Sequence, residues 1–122
     1  MMIQKLQHKN ALVSIGGSNW NEADSFARTE LTSHADAVYI PPFDDELIWE
    51  GNSTIVDKLV ADGVKPDVIV LSVGGGGLLR GIQIGLEKHG WNDVTIIATE
   101  TTGTASYATS FSASQVVKLN KI

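Results

Sequence analysis

Cysteine is absent from the 122 residues, which excludes disulfides and any thiolate metal site. Basic residues are scarce. Nine Lys and Arg stand against fourteen Asp and Glu, a formal charge of −5. Nucleic acid selects basic surfaces, so no nucleic-acid partner is expected. No apolar run reaches membrane-spanning length, so no membrane partner is expected either. The opening Met1-Met2-Ile3-Gln4-Lys5 lacks the apolar core of a secretory signal and the arginines of an organelle presequence, which leaves a cytoplasmic location as the expectation. The three histidines, His8, His34 and His89, have no acid and nucleophile arranged around them, and no Ser-His-Asp set can be argued. What remains is 43% apolar residues and a mean hydropathy near zero. That is a globular composition, long enough for one small domain and too short for two large ones.

The chain is organised around residues 67–81. Asp67-Val68-Ile69-Val70-Leu71-Ser72-Val73 runs into four consecutive glycines, Gly74 to Gly77. The apolar run is β-branched and bounded by Pro66 and the glycines, so it reads as a buried parallel strand. Beyond the glycines, Leu78, Leu79, Ile82 and Leu86 recur at helical spacing. Glycine loses more backbone freedom on folding than any other residue. A tight turn with positive φ needs one or two, so four imply a further use. Bare backbone lets successive N–H groups line one pocket, and the helix behind adds its positive end. Strand, glycine loop and helix start together make an anion cup suited to phosphate.

The cup is not that of a dinucleotide or a nucleoside triphosphate. The dinucleotide fingerprint fails in every register, because Leu78, Leu79 or Arg80 stands where a glycine is required. Gly76 and Gly81 have the spacing of a P-loop, but Ile82 occupies the lysine position. A smaller phosphate ester held mainly by backbone fits best. Arg80 is read as solvated, since the helix already supplies the field.

Elsewhere the pattern is that of an α/β chain. Residues 1–9 are polar and read as a loose arm. Residues 11–15 and 37–40 read as short strands. Between them a helix runs to about residue 34, opened by Ser18 or Asn19 with Glu22 as in a capping box. Asp44-Asp45-Glu46 reads as part of a solvated loop, with Phe43, Ile48 and Trp49 tucked into a core. Asn52 or Ser53 opens the next helix, which Gly63 and Pro66 end. Gly77, Gly81 and Gly85 recur every four residues and predict close approach to a neighbouring element. Gly90 closes that helix. Residues 94–98 read as a second buried strand, 105–112 as a short helix and 116–119 as a last strand or edge.

The glycine stretch Ser72-Val73-Gly74-Gly75-Gly76-Gly77-Leu78-Leu79-x-Gly81 resembles the phosphate loop of the catabolic L-serine/L-threonine dehydratases, pyridoxal-phosphate enzymes of the tryptophan-synthase-β type. Tyr39-Ile40-x-Pro42-Phe43-Asp44-Asp45-x-x-Ile48-Trp49-Glu50-Gly51 is a second match. Ile97-Ala98-x-Glu100-Thr101-x-Gly103, followed by Ser106, is a third. They occur in the family's order. The resemblance implies an incomplete part of a parallel-sheet three-layer fold. Residues 10–50 then end a small-domain-like segment and its connecting loop, and 51–122 form part of the large phosphate-binding domain.

The cofactor implied is pyridoxal 5′-phosphate, its phosphate held by Gly74, Gly75, Gly76, Gly77 and Leu78. Gly74, Glu100 and Thr104 are implied as oxygen donors to a monovalent cation. The implied reaction is β-elimination from a small amino acid: serine to pyruvate plus ammonia, or threonine to 2-oxobutanoate. It belongs to amino-acid catabolism and gluconeogenesis, and the full-length family implies a dimer. The family's Schiff-base lysine sits in a Ser-x-Lys motif, and none of Lys5, Lys9, Lys58, Lys65, Lys88, Lys118 or Lys121 does. No catalytic residue is therefore assigned. Three expectations follow from that: a truncated serine dehydratase inactive alone, a non-catalytic phosphate-binding module, or a half-enzyme completed by a second chain.

Overall fold

A computed structural model describes residues 2–31 and 33–119. Two compact units divide the chain between Tyr39 and Ile40. The first holds α1 (Met2–Gln7) and α2 (Trp20–Leu31). The stretch expected to be a loose arm thus carries a short helix. The cap of α2 is the expected one, with both candidate residues in use. Asn19 Oδ1 accepts from the Glu22 N–H at 3.1 Å, and Glu22 reaches back to the N–H and hydroxyl of Ser18, both at 2.8 Å. The helix ends at Leu31, and Thr32 lies outside the described residues. Asp24 accepts from Arg28 at 2.9 Å and from the Tyr39 hydroxyl, while the guanidinium lies 4.0 Å from the Tyr39 ring centre.

The second unit holds α3 (Glu46–Ala61), β1 (Val68–Ser72), α4 (Gly77–Lys88), β2 (Thr95–Thr99) and α5 (Ser106–Ala113). β1 and β2 pair in parallel, Val68 opposite Thr95 and Ser72 opposite Thr99. Parallel neighbours need a crossover, and α4 supplies it. Leu71 and Val73 from the first strand and its exit pack with Leu79, Ile82 and Leu86 of α4, Val56 of α3, and Val94. Gly63 and Gly90, both with positive φ, follow the ends of α3 and α4 as the sequence predicts.

The glycines at four-residue spacing on α4 let α3 lie against it. A Cβ at Gly81 would come 2.3 Å from Asn52 Cβ and 2.7 Å from the Trp49 carbonyl oxygen. One at Gly85 would come 2.7 Å from the Val56 side chain. Gly51, inside α3, is different: nothing lies within 4 Å of a Cβ there. Glycine in a helix interior costs about 1 kcal/mol relative to alanine. Gly51→Ala is therefore expected to raise stability by roughly 0.5–1 kcal/mol, as read from urea unfolding.

Four sequence expectations are overturned. α3 opens at Asp45, whose carboxylate accepts from the Leu47 N–H at 2.8 Å, and not at Asn52 or Ser53. The acidic triplet is the start of this helix, where negative side chains meet the positive dipole end, and is not a solvated loop. Residues 11–15, 37–40 and 116–119 form no strands. Their composition suits a pleated surface, but a strand needs a hydrogen-bonded neighbour, and none is found among the described residues. Leu12 and Val116 are 94% and 96% exposed. The two real strands are covered on one face only. Ile69 and Leu71 turn inward with Ile96 and Ala98, while Val68, Val70 and Ile97 are exposed. α3 and α4 pack against the inward-facing strand residues, and the expected burial of both faces is not met.

No helix among the described residues is long and apolar enough to cross a membrane. α3 and α4 are also tied by charge. Asp57 lies 2.9 Å from Lys88 Nζ and 2.6 Å from His89 Nε2. The His89 hydrogen bond, then Lys88, holds the Asp57 carboxyl below the usual carboxylate range. A depressed carboxyl pKa contributes stability that is present above the ordinary value and lost as pH falls through the depressed one. The melting temperature is expected to drop on acidification below about pH 4. Asp57→Asn should shrink that drop, as measured by thermal melts between neutral and acid pH.

Candidate phosphate-binding site

The site forms where β1 gives way to α4. The ladder runs one bond past the strand, Val73 N–H donating to Thr99 O at 2.8 Å. The Thr99 hydroxyl donates to Leu71 O at 3.1 Å. Both strands therefore end side by side. The segments leaving them, from Gly74 and from Glu100, start together at the carboxyl edge of the sheet, where open α/β sheets bind ligands.

Three of the four glycines have a reason within the protein. Gly76 is the N-cap of α4 with φ 87°, a conformation that side chains resist. A Cβ at Gly75 would fall 2.0 Å from Cγ of the Phe43 ring, and one at Gly77 would fall 2.7 Å from the Phe43 carbonyl oxygen. Gly74 has no such reason. It is absent from the positive-φ residues, and nothing lies within 4 Å of a Cβ built on it. The bare position faces open space.

Hydrogen-bond donors are to spare at the same turn. No backbone carbonyl among the described residues accepts from the N–H groups of Gly74, Gly75 or Gly76. The leading N–H groups of α4 have no intrahelical acceptor, and the glycine N-cap has no side chain to offer one. A run of unspent donors beside empty space and the positive end of a twelve-residue helix suits a phosphate group.

The other sequence-predicted residues fall as follows. Leu78 sits at the second position of α4, at the edge of exposure. Arg80 extends along α4 to Glu87, 3.7 Å away, in keeping with the solvated reading. Both carboxylate oxygens of Glu100 accept from the first turn of α5, from Tyr107 N–H at 2.9 Å and Ala108 N–H at 2.8 Å. That carboxylate is a helix cap, and a cation held here would fall to backbone oxygens. Thr104 turns back to Thr101, its N–H donating to the Thr101 carbonyl at 3.1 Å. No group of three or more His, Cys, Asp or Glu side chains that could hold a metal occurs among the described residues.

The sequence reading missed how Phe43 and Trp49 bear on the loop. The Trp49 indole N–H donates to the Phe43 carbonyl at 2.8 Å. A signal for α3 was present: Asp45 directly precedes Glu46, and Ile48, Asn52 and Val56 follow at four-residue spacing. The contact of Phe43 with the glycines joins distant segments and left no such trace.

The family model for pyridoxal-phosphate dependent enzymes matches residues 1–122. The chain is 45% identical to an L-serine dehydratase of Dictyostelium discoideum, over 97% of its own length and 35% of the relative's. It is 44% identical to the L-serine dehydratase/L-threonine deaminase of Homo sapiens, over 100% of its length and 38% of the relative's. Among solved structures it matches a fungal L-serine ammonia-lyase from Rhizomucor miehei with a TM-score of 0.90 and 35% identity, covering 98% of this chain and 38% of that one. The chain thus spans little more than a third of the length of these relatives.

Proposed function

The chain belongs to the family of pyridoxal-phosphate dependent enzymes, and on that premise we propose that it is the phosphate-binding part of an L-serine dehydratase-type ammonia-lyase. The fold supports this, since one solved structure it overlays is a serine ammonia-lyase. The observation that carries the reading is Gly74: a bare backbone position beside open space, at a turn whose N–H groups have no backbone acceptor. Gly74 to Gly77 and Leu78 would hold the phosphate by their N–H groups. Bound pyridoxal phosphate supplies an electron-withdrawing ring that acidifies the Cα–H of an amino acid. This chain's residues orient that ring by gripping its phosphate, and hold it at the carboxyl edge of the sheet.

On this reading residues 10–50 end the small-domain segment and 51–122 belong to the large domain. A monovalent cation at Gly74, Glu100 and Thr104 would rest on backbone oxygens. The whole enzyme would act on serine, releasing pyruvate and ammonia in the catabolism of amino acids in the cytoplasm. These 122 residues contain no lysine in a Ser-x-Lys motif, so they hold the phosphate and do not turn serine over.

Two measurements test this. Titration with pyridoxine 5′-phosphate, which has no aldehyde to react with lysines, should show affinity at least about tenfold above that for pyridoxine, the worth of one charge-assisted hydrogen bond. Equal affinities would overturn the phosphate cup. A pyruvate assay with pyridoxal 5′-phosphate and L-serine should show no turnover, and sustained pyruvate release would overturn the assignment of no catalytic residue.

The exposed strand face of Val68, Val70 and Ile97 favours a second reading. A parallel sheet is stable with both faces covered, so a second polypeptide carrying the lysine would complete both the layer and the enzyme. Co-expression with such a polypeptide should give a copurifying complex that releases pyruvate from serine. Two chains that purify apart and stay inactive together would rule this reading out.

A further inference from the structure

We propose that Phe43 and Trp49 form a latch that sets the glycine loop in its phosphate-binding shape, acting as positioning residues. The inference rests on the phosphate reading above and assigns that site its support. The Phe43 ring occupies the space a side chain at Gly75 would need, and its carbonyl crowds Gly77. One residue therefore braces the loop at two points, while the space at Gly74 stays open.

The brace is itself held. The Phe43 carbonyl accepts the Trp49 indole N–H at 2.8 Å in a part-buried position. Trp49 belongs to the first turn of α3, where its N–H donates to Asp45 O at 3.1 Å and Asp45 caps the helix. Its own carbonyl lies against Gly81 of α4. Loop, Phe43, Trp49 and the starts of two helices thus form one closed circuit of contacts. A glycine run costs the most to order. Bracing it beforehand reduces the ordering left to the ligand, which is how preorganisation raises affinity.

The discriminating readout is the affinity ratio of pyridoxine 5′-phosphate to pyridoxine in the full chain. Packing alone would leave this ratio unchanged in any folded variant. Trp49→Phe keeps the ring and removes the N–H, and should lower the ratio about fivefold, the net worth of one hydrogen bond. Phe43→Leu keeps an apolar side chain and removes the flat ring, and should lower it by at least as much. A ratio unchanged in both folded variants overturns the latch and leaves the phosphate cup standing. A ratio near one in the unsubstituted chain overturns both. Should the variants not fold, hydrogen exchange of the Trp49 indole N–H in the unsubstituted chain decides. Coupling is reciprocal, so pyridoxine 5′-phosphate should slow that exchange, and an unchanged rate contradicts the latch.

Discussion

Gly81→Ala lowers the unfolding free energy by about 2 kcal/mol. The added carbon would lie 2.3 Å from Asn52 Cβ and 2.7 Å from the Trp49 carbonyl oxygen. Neither neighbour is the free end of a side chain, so relief requires α3 and α4 to separate. Overpacking of this kind costs about 3 kcal/mol at its upper range. Alanine's better helix propensity offsets about 1 kcal/mol. The net loss corresponds to a melting temperature roughly 6–10 °C lower for a chain of this size. Gly51→Ala changes the same residue type inside the facing helix, where no neighbour interferes, and moves stability the other way. Equal shifts at the two sites would mean that α4 does not approach α3 through its glycines.

Gly74→Ala separates binding from stability in the opposite sense. Nothing lies within 4 Å of the added carbon and the backbone there is not left-handed, so the melting temperature should stay within about 2 °C. Affinity for pyridoxine 5′-phosphate should fall at least about tenfold, because the methyl enters space the phosphate would fill. Affinity for pyridoxine should be unchanged. Gly75→Ala lacks this separation, since its methyl collides with the Phe43 ring. It is expected to lose both binding and stability. A Gly74→Ala chain that binds the phosphate ester as well as the unsubstituted one would mean the open space serves no ligand.

The legible parts of the fold were local. Pro66, the apolar run, the glycines and the spacing of Leu79, Ile82 and Leu86 lie within one stretch and agree with one another, and β1, the loop and α4 follow from them. β2 lies within one residue of its expected place. What depended on distant partners was not legible. Residues 11–15 have strand composition, yet strand formation is a property of a pair. At α3, the three acids pointed to a loop. Packing of Val56 and Ser53 in the core, with Asp45 as cap, outweighed the weak local preference.

The same division holds at the site. The glycine loop was visible because no other residue type makes bare backbone, and its placement between β1 and α4 matches the reading. Glu100 was a candidate through the family resemblance alone. Its commitment to the first turn of α5 is a hydrogen-bond pattern that no spacing rule foretells. Phe43 and Trp49 were assigned to a core, but Phe43 lies against the loop and Trp49 holds the Phe43 carbonyl.

The central claim is that the N–H groups of Gly74 to Leu78 hold a phosphate ester. Amide resonances of the full chain titrated with pyridoxine 5′-phosphate report on it residue by residue. The largest, saturable shifts are predicted at Gly74, Gly75, Gly76, Gly77 and Leu78, with pyridoxine alone leaving them in place. Shifts that gather instead around Lys65 and Lys88, with the glycine amides unmoved, would contradict it.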